Sequence, residues 1–363
     1  METMKKMAII GGGVSGILTT LEMQKRGYHV DIYDKDYLSG NLGFGFLVMP
    51  NGIEGLRKMG YWGELEKIGT PIAKVQTYHD GSSLLKESEL QNVWGFSRVE
   101  FLQCLAQHVN KDQTTFFQNM MELGSDRGLL YNNTPFDQSQ YEWIFGCDGA
   151  NSVIRRHLFE DAEIIEAPTY EINGCFEDVS FCKSYPNQLI KIVFDQPGLA
   201  VGLLPLVNGR VIWFMQLAKK FFPVPSRSTD ELLSRVKSIL ANAQNSLIHE
   251  HLLNQNLDPY LWKGRILIGV DQYIVDNKVL LGDAAHLFLP FTSQGTNMAI
   301  EDVISFTESF EALKDKDLVA LEHFNKRREA VEAVAFQGME YAHLFSTENY
   351  EFMLNHIPLV FTK

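Results

Sequence analysis

Gly11-Gly12-Gly13-Val14-Ser15-Gly16 stands directly after the apolar run Ala8-Ile9-Ile10 and before Ile17, Leu18, Leu21 and Met23, whose spacing is that of a helix. Tyr28 to Tyr33, with Val30 and Ile32 apolar, reads as a second strand. Strand, glycine turn, helix and strand within about 30 residues make a nucleotide-binding unit. The first glycine permits the tight turn, the second lets a pyrophosphate approach the backbone, and the third lets helix and strand pack closely. The helix N-terminus meets the anion with free N–H groups and the positive end of its dipole. Asp34, with Lys35 beside it, closes the second strand where a carboxylate can accept hydrogen bonds from ribose hydroxyls. Gly11, Gly13, Val14, Ser15, Gly16, Asp34 and Lys35 are therefore the first candidate binding residues.

Further along, Trp143 to Gly146 reads as a buried strand leading into Cys147-Asp148-Gly149. Leu189 to Phe194, Leu199 to Leu206 and Arg210 to Leu217 are successive β-type runs, separated by turns at Gln196-Pro197-Gly198 and Asn208-Gly209. In the last run Val211, Trp213, Met215 and Leu217 fall on one face, and Ile212, Phe214 and Gln216 on the other. Two largely apolar faces predict a sheet covered on both sides. Val279-Leu280-Leu281 is a last buried strand entering Gly282-Asp283. Helical patterns cover Phe101 to Val109, Thr229 to Leu253, Gly295 to Phe310 and Leu318 to Leu344.

With 363 residues, 45 % hydrophobic and 21 % charged, the chain can build a substantial core. A net charge of −13 repels phosphate backbones and anionic lipid heads, which argues against nucleic acid or a membrane as partner. Cys104, Cys147, Cys175 and Cys182 show no CxxC or metal-ligand spacing and read as free thiols in a reducing, cytoplasmic compartment; no metal is expected. Glycines 11, 12, 13 and 16 interrupt the apolar run near the N-terminus, so it reads as neither a signal peptide nor a membrane span.

Two later segments extend the glycine turn into a pattern. Cys147-Asp148-Gly149-Ala150-Asn151-Ser152-Val153-Ile154-Arg155 and Gly282-Asp283-Ala284-Ala285-His286, the latter continuing through Pro290, Gln294-Gly295-Thr296-Asn297 and Ile300-Glu301-Asp302, follow it in order. Together they resemble the DG and GD motifs of the single-component FAD-dependent aromatic hydroxylases, the para-hydroxybenzoate and salicylate hydroxylase type. Gly43-Phe44-Gly45-Phe46 with Pro50-Asn51, and Ser97-Arg98-Val99-Glu100-Phe101-Leu102, are lesser echoes of the same family. The chain departs from it at Ser293-Gln294-Gly295, where the family usually reads Gly-Gln-Gly; a serine there adds a hydroxyl and restricts φ.

The resemblance implies an α/β fold: a Rossmann-like FAD-binding domain (GR2-type) with an inserted β-sheet substrate domain and C-terminal helices. Residues 1–70, 96–165 and 270–363 would form the first, and residues 71–95 and 166–269 the second. It further implies that Gly45 lies near FAD, that Arg98 reaches it, that Asp148 serves the pyrophosphate region and that Asp283 meets the ribityl chain. Pro290, Gly295, Thr296 and Asn297 would sit at the flavin ring, and His286 would be a structural histidine beneath it. NAD(P)H would reduce the flavin as a transient co-substrate. O2 would add to give a C4a-(hydro)peroxide that passes one oxygen atom to a small organic substrate.

Phe194, Leu203, Trp213 and Met215, with Tyr170 and Phe176 nearby, are candidate walls for that substrate. The scarcity of charge in these strands favours a neutral, apolar, aromatic or polycyclic molecule. Three alternatives share the nucleotide motifs: a reductase or saturase of the geranylgeranyl-reductase kind, a flavin-dependent halogenase and a non-catalytic flavin-binding protein.

Overall fold

The computed structural model describes residues 6–36, 44–81, 83–226 and 228–347; Gly43 lies outside them. β1 (Lys6–Ile10) runs into the glycine turn and α1 (Val14–Lys25), and β2 (His29–Tyr33) returns parallel to β1. β3 (Gly45–Val48) leads to α2 (Pro50–Lys58), which opens on a proline whose fixed φ suits a first helical turn. β4 (Lys74–His79) and β5 (Leu84–Glu89) pair antiparallel, and β6 (Trp94–Ser97) runs straight into α3 (Arg98–Ala106). β7 (Thr114–Phe117), β8 (Trp143–Gly146) and α4 (Val153–Leu158) follow. Then come β9 (Glu163–Glu177), β10 (Gln188–Val193), β11 (Leu199–Pro205) and β12 (Arg210–Ala218). α5 (Thr229–Ala241), α6 (Ser246–His251) and β13 (Tyr260–Ile268) precede β14 (Ile274–Val275) and β15 (Lys278–Leu280). α7 (Gly295–Ala312) and α8 (Lys316–Phe345) are the last two helices described.

Two large sheets organise these elements. A six-stranded sheet has the order β14-β15-β8-β1-β2-β7, with every neighbour from β15 to β7 parallel. The winding departs from β1 towards β2 on one side and reaches β8 on the other. The crevice for a ligand in such a sheet opens at the carboxyl end of the strand where the order switches, and here that is β1 and its glycine turn. A seven-stranded sheet has the order β13-β9-β12-β11-β10-β4-β5 and is antiparallel except where β10 meets β4. No helix among the described residues is long and apolar enough to cross a membrane.

One core packs Ile17, Leu18 and Leu21 of α1 against Met7, Ile9 and Phe145 of the parallel sheet and Ile300, Val303 and Phe306 of α7. A second packs Leu203, Trp213 and Met215 of the other sheet against Leu232, Val236 and Leu240 of α5 and Ile248 of α6. The seven-stranded sheet thus gives one face to α5 and α6 and keeps the opposite face for something else.

The helical pattern expected over Thr229 to Leu253 divides into α5 and α6. Asn245 interrupts it by accepting the Leu247 N–H through Oδ1, a local bond that favours a cap over a continuing helix. β9 and β13 carry too little regular alternation to stand out in the sequence. β9 contains Pro168, and its pairing with β13 shifts register between Glu166 and Tyr170, as a residue without an N–H requires.

The glycine turn is sterically committed. Gly11 has φ +101°, and a Cβ on Gly16 would overlap the carbonyl oxygen of Gly11. Gly16→Ala should therefore lower stability by about 1–3 kcal/mol through overpacking. Gly63→Ala, at an exposed position of the helix Trp62–Ile68 with no atom within 4 Å of its Cβ, should be neutral or slightly stabilising. Thermal denaturation of the two variants beside the parent checks the contrast.

Candidate active site

A cavity of about 410 Å³ lies between the glycine turn and the uncovered face of the seven-stranded sheet. Its floor begins at Gly13, Val14 and Ser15, where α1 starts without a side-chain cap or an acidic residue in its first turn. The first N–H groups of a helix have no partner within it, so an uncapped N-terminus on a cavity is a place for an anion. A Cβ on Gly13 would meet only the Arg98 guanidinium at 3.5 Å, so a ligand can approach the backbone there. Asp34 secures the turn from beneath: its Oδ2 accepts the Gly12 N–H at 2.6 Å and its Oδ1 accepts the Asp36 N–H at 2.7 Å.

A second helix N-terminus reaches the same cavity. α7 begins at Gly295 without a side-chain cap or a first-turn acid, and Gly295 and Thr296 line the floor. A Cβ on Gly295 would meet nothing within 4 Å. Between the two helix ends stand Arg98, first residue of α3, and Asp283. Burial pulls the Arg98 guanidinium down from its ordinary range, and Asp283 and Asp34 partly restore it. Burial likewise raises the Asp283 carboxyl, against the pull of His286 and Arg98.

The start of α7 is held by ties beneath the cavity. Asn297 is fully buried; its Oδ1 accepts the Met49 N–H at 2.8 Å and its Nδ2 donates to the carbonyls of Leu47 and Ser293. Asp302 accepts the Gly282 N–H at 2.8 Å, His286 Nε2 at 2.7 Å and Arg327 Nε at 2.8 Å. Burial alone would raise its carboxyl, but His286 and Arg327 outweigh that and hold it well below the usual range. His286 is thereby a structural partner rather than a base facing the cavity.

Of the residues singled out in the sequence, Gly13, Val14, Ser15, Gly45, Arg98, Asp283, Pro290, Gly295 and Thr296 stand on the cavity wall. Gly11, Gly16 and Asp34 shape the turn behind it. Lys35 is exposed and pairs with Asp36 at 3.6 Å. Asp148 lies behind the wall, between the lining residues Cys147 and Gly149; its Oδ2 accepts the Val153 N–H at 2.6 Å at the start of α4, while its Oδ1 is buried without a partner. Asn297 acts from below rather than on the wall.

The expected substrate wall is corrected. Phe194, Leu203, Trp213 and Met215 belong to the core under α5 and α6, as do Tyr170 and Phe176. Side chains alternate between faces along a strand, and the opposite set, Leu204, Ile212, Phe214 and Gln216, lines the cavity together with Glu171, Asn173 and Lys191. Alternation placed Ile212, Phe214 and Gln216 on one face in the sequence, but nothing there said which face the helices would cover. The cavity is also more polar than the strands suggested. Burial raises the Glu171 carboxyl to about 7 and lowers the Lys191 ammonium to about 7.

Residues 4–334 match the family model of an FAD binding domain. The chain is similar to 3-amino-4-hydroxybenzoate 2-monooxygenase of Streptomyces cremeus, at 22 % identity over 332 residues, 85 % of this chain and 79 % of that one. Its similarity to kynurenine 3-monooxygenase of Dictyostelium discoideum is 24 % over 356 residues, covering 86 % and 71 %. The solved structure of Klebsiella pneumoniae HpxO complexed with FAD and uric acid superposes with a TM-score of 0.77 at 17 % identity, over 96 % of this chain and 90 % of that one.

Two measurements follow from the geometry. Ser293 sits in the left-handed region at φ 52°, ψ 25°, and its bond to Asn297 uses only its backbone carbonyl. Ser293→Gly should therefore relieve strain and gain about 0.5–1 kcal/mol, seen as a higher Tm. For Glu171, a folded pKa above the unfolded one means the folded state holds the extra proton. Its contribution to stability is present below the unfolded pKa and is lost as pH rises through the folded one. Glu171→Gln removes that loss, so its thermal stability relative to the parent should improve between about pH 5 and about pH 8, by up to ~3 kcal/mol.

Proposed function

The chain belongs to the FAD binding domain family, and from that premise we propose that it is an FAD-dependent monooxygenase. Using NAD(P)H and O2, it would place one oxygen atom on a small aromatic or polycyclic substrate. The observation that carries this reading is the convergence of two uncapped helix N-termini, those of α1 and α7, on one cavity roofed by a sheet. The similarity to monooxygenases named for hydroxybenzoate and kynurenine substrates supports the reaction class.

The residues present fit the cofactor. Backbone N–H groups at Gly13, Val14 and Ser15 would hold the pyrophosphate, and Asp34 at the edge of the turn would meet the adenosine ribose. Arg98 and Asp283 stand between the two helix ends, where the middle of an extended dinucleotide has to pass. Pro290, Gly295 and Thr296 would receive the isoalloxazine, with the α7 N-terminus favouring negative charge on it. Asn297 and Asp148 serve as positioning residues, one fixing α7 and the other α4.

Bound FAD supplies a two-electron centre through which O2 is activated. In the net reaction substrate, O2, NAD(P)H and a proton give the oxygenated substrate, NAD(P)+ and water. The protein's own part is to orient the substrate and keep water from the reacting centre. Leu204, Ile212, Phe214, Phe288 and Leu289 supply an apolar lining suited to both tasks. Four free cysteines and the acidic net charge support a reducing, cytoplasmic setting and a small-molecule partner.

Purified protein should be yellow, and an aromatic compound that serves as substrate should accelerate its NAD(P)H oxidation only when O2 is present. Mass spectrometry should show the product heavier by one oxygen atom. A gain of two hydrogens instead would assign a reductase, and bound flavin with no substrate-stimulated oxidation would leave a binding protein.

A further inference from the structure

Glu171 on β9 and Gln216 on β12 are direct neighbours across the paired strands, and both stand on the cavity wall. Their exposures are 8 % and 6 %. Gln216 Nε2 donates to Glu171 Oε1 at 2.8 Å. Among the described residues this is the one hydrogen bond made by the Glu171 side chain, and its second carboxyl oxygen has no protein donor. Among the described residues no cation pairs with it either. Lys191 stands three strands away on β10, about 14 Å by strand spacing.

The surroundings of this pair are flat and apolar. Trp262 lies opposite Glu171 on the neighbouring strand β13 and also lines the cavity. One step along the same face, Phe214 pairs with Asn173, and its ring lies against Gly202, where a Cβ would overlap it. Asn173 Oδ1 is itself buried without a partner. The roof therefore offers aromatic surface on which a ring can lie and two unmet acceptors on one strand face. Leaving a buried acceptor unpaired costs free energy that a bound donor recovers.

On the reading that this cavity receives the substrate, we propose that Glu171 is its specificity-determining residue, accepting a hydrogen bond from a ring N–H or O–H of a flat aromatic substrate. Gln216 acts through it as a positioning residue. Its amide occupies one carboxyl oxygen and turns the other to the ligand. The substrate class is then a ring compound with a free N–H or O–H, and the same ring with that group methylated is disfavoured. A site built to bond such a donor discriminates strongly against the analogue lacking it, because its own polar group is left unpaired.

The test uses the FAD-loaded full chain and two matched pairs of probes, indole with 1-methylindole and 2-naphthol with 2-methoxynaphthalene. Each is titrated against the absorbance of the bound flavin, with NAD(P)H oxidation followed in parallel. In at least one pair the free donor should bind about tenfold or more tightly than its methylated partner. Glu171→Leu should bring that ratio to within about threefold, while Glu171→Gln, a neutral and weaker acceptor, should give an intermediate ratio. If the leucine variant does not retain FAD, the glutamine variant carries the test alone.

Equal binding of both members in every pair, no binding by any probe, or a ratio that Glu171→Gln leaves unchanged would overturn the proposal. A donor preference without accelerated NAD(P)H oxidation would uphold the recognition role and remove the monooxygenase reading. Accelerated oxidation without a preference would do the reverse.

Discussion

The Asp302 carboxylate receives three donors at once: the backbone N–H of Gly282, Nε2 of His286 and Nε of Arg327. Through them the turn after β15, the helix α7 and the helix α8 are fixed in one arrangement. A buried carboxylate with fewer partners would be strongly destabilising; with a complete set it specifies a geometry. That geometry puts Asp283 and the α7 N-terminus on the cavity floor opposite the glycine turn. Arg327 also pairs with Glu301 at 2.9 Å, so the hub ties two acidic residues on α7 to one cation on α8.

The floor works by what it leaves open. α1 and α7 both begin without a side-chain cap, and Gly13 and Gly295 both lack neighbours that would crowd a ligand. Their free N–H groups are already oriented by the helices, so an anionic ligand meets donors that need little rearrangement. Asp34 and Asn297 do the complementary work behind the surface, each holding a backbone N–H so that the turn and the helix start keep their positions. The charged side chains that the described residues bring to this floor are Arg98 and Asp283, between the two ends.

The roof divides its labour by face. Leu203, Trp213 and Met215 join α5 and α6 in a dry core, while Leu204, Phe214 and Gln216 from the same strands look into the cavity. A sheet anchored on one side in this way is a rigid surface on which polar groups can be set accurately. Glu171 and Gln216 use that rigidity: their backbone pairing fixes the separation at which one side chain can hold the other.

The sequence alone determined the features that depend on residues close together in the chain. The glycine turn and the carboxylate at Asp34 are local requirements on φ or on close approach, and residue type declares them directly; the constraint at Ser293 was legible only through the resemblance to a family that carries glycine there. The alternation of Ile212, Phe214 and Gln216 was equally legible, since strand geometry fixes it. Which face of that strand would be covered was not, because the covering helices α5 and α6 begin only after the strand and could pack on either apolar side. For the same reason the sequence could not join Glu171 to Gln216, turn Asp148 towards α4, or gather His286 and Arg327 around Asp302. A side chain's partner across tens of residues is chosen by the packing of whole elements, and only the tertiary structure decides it.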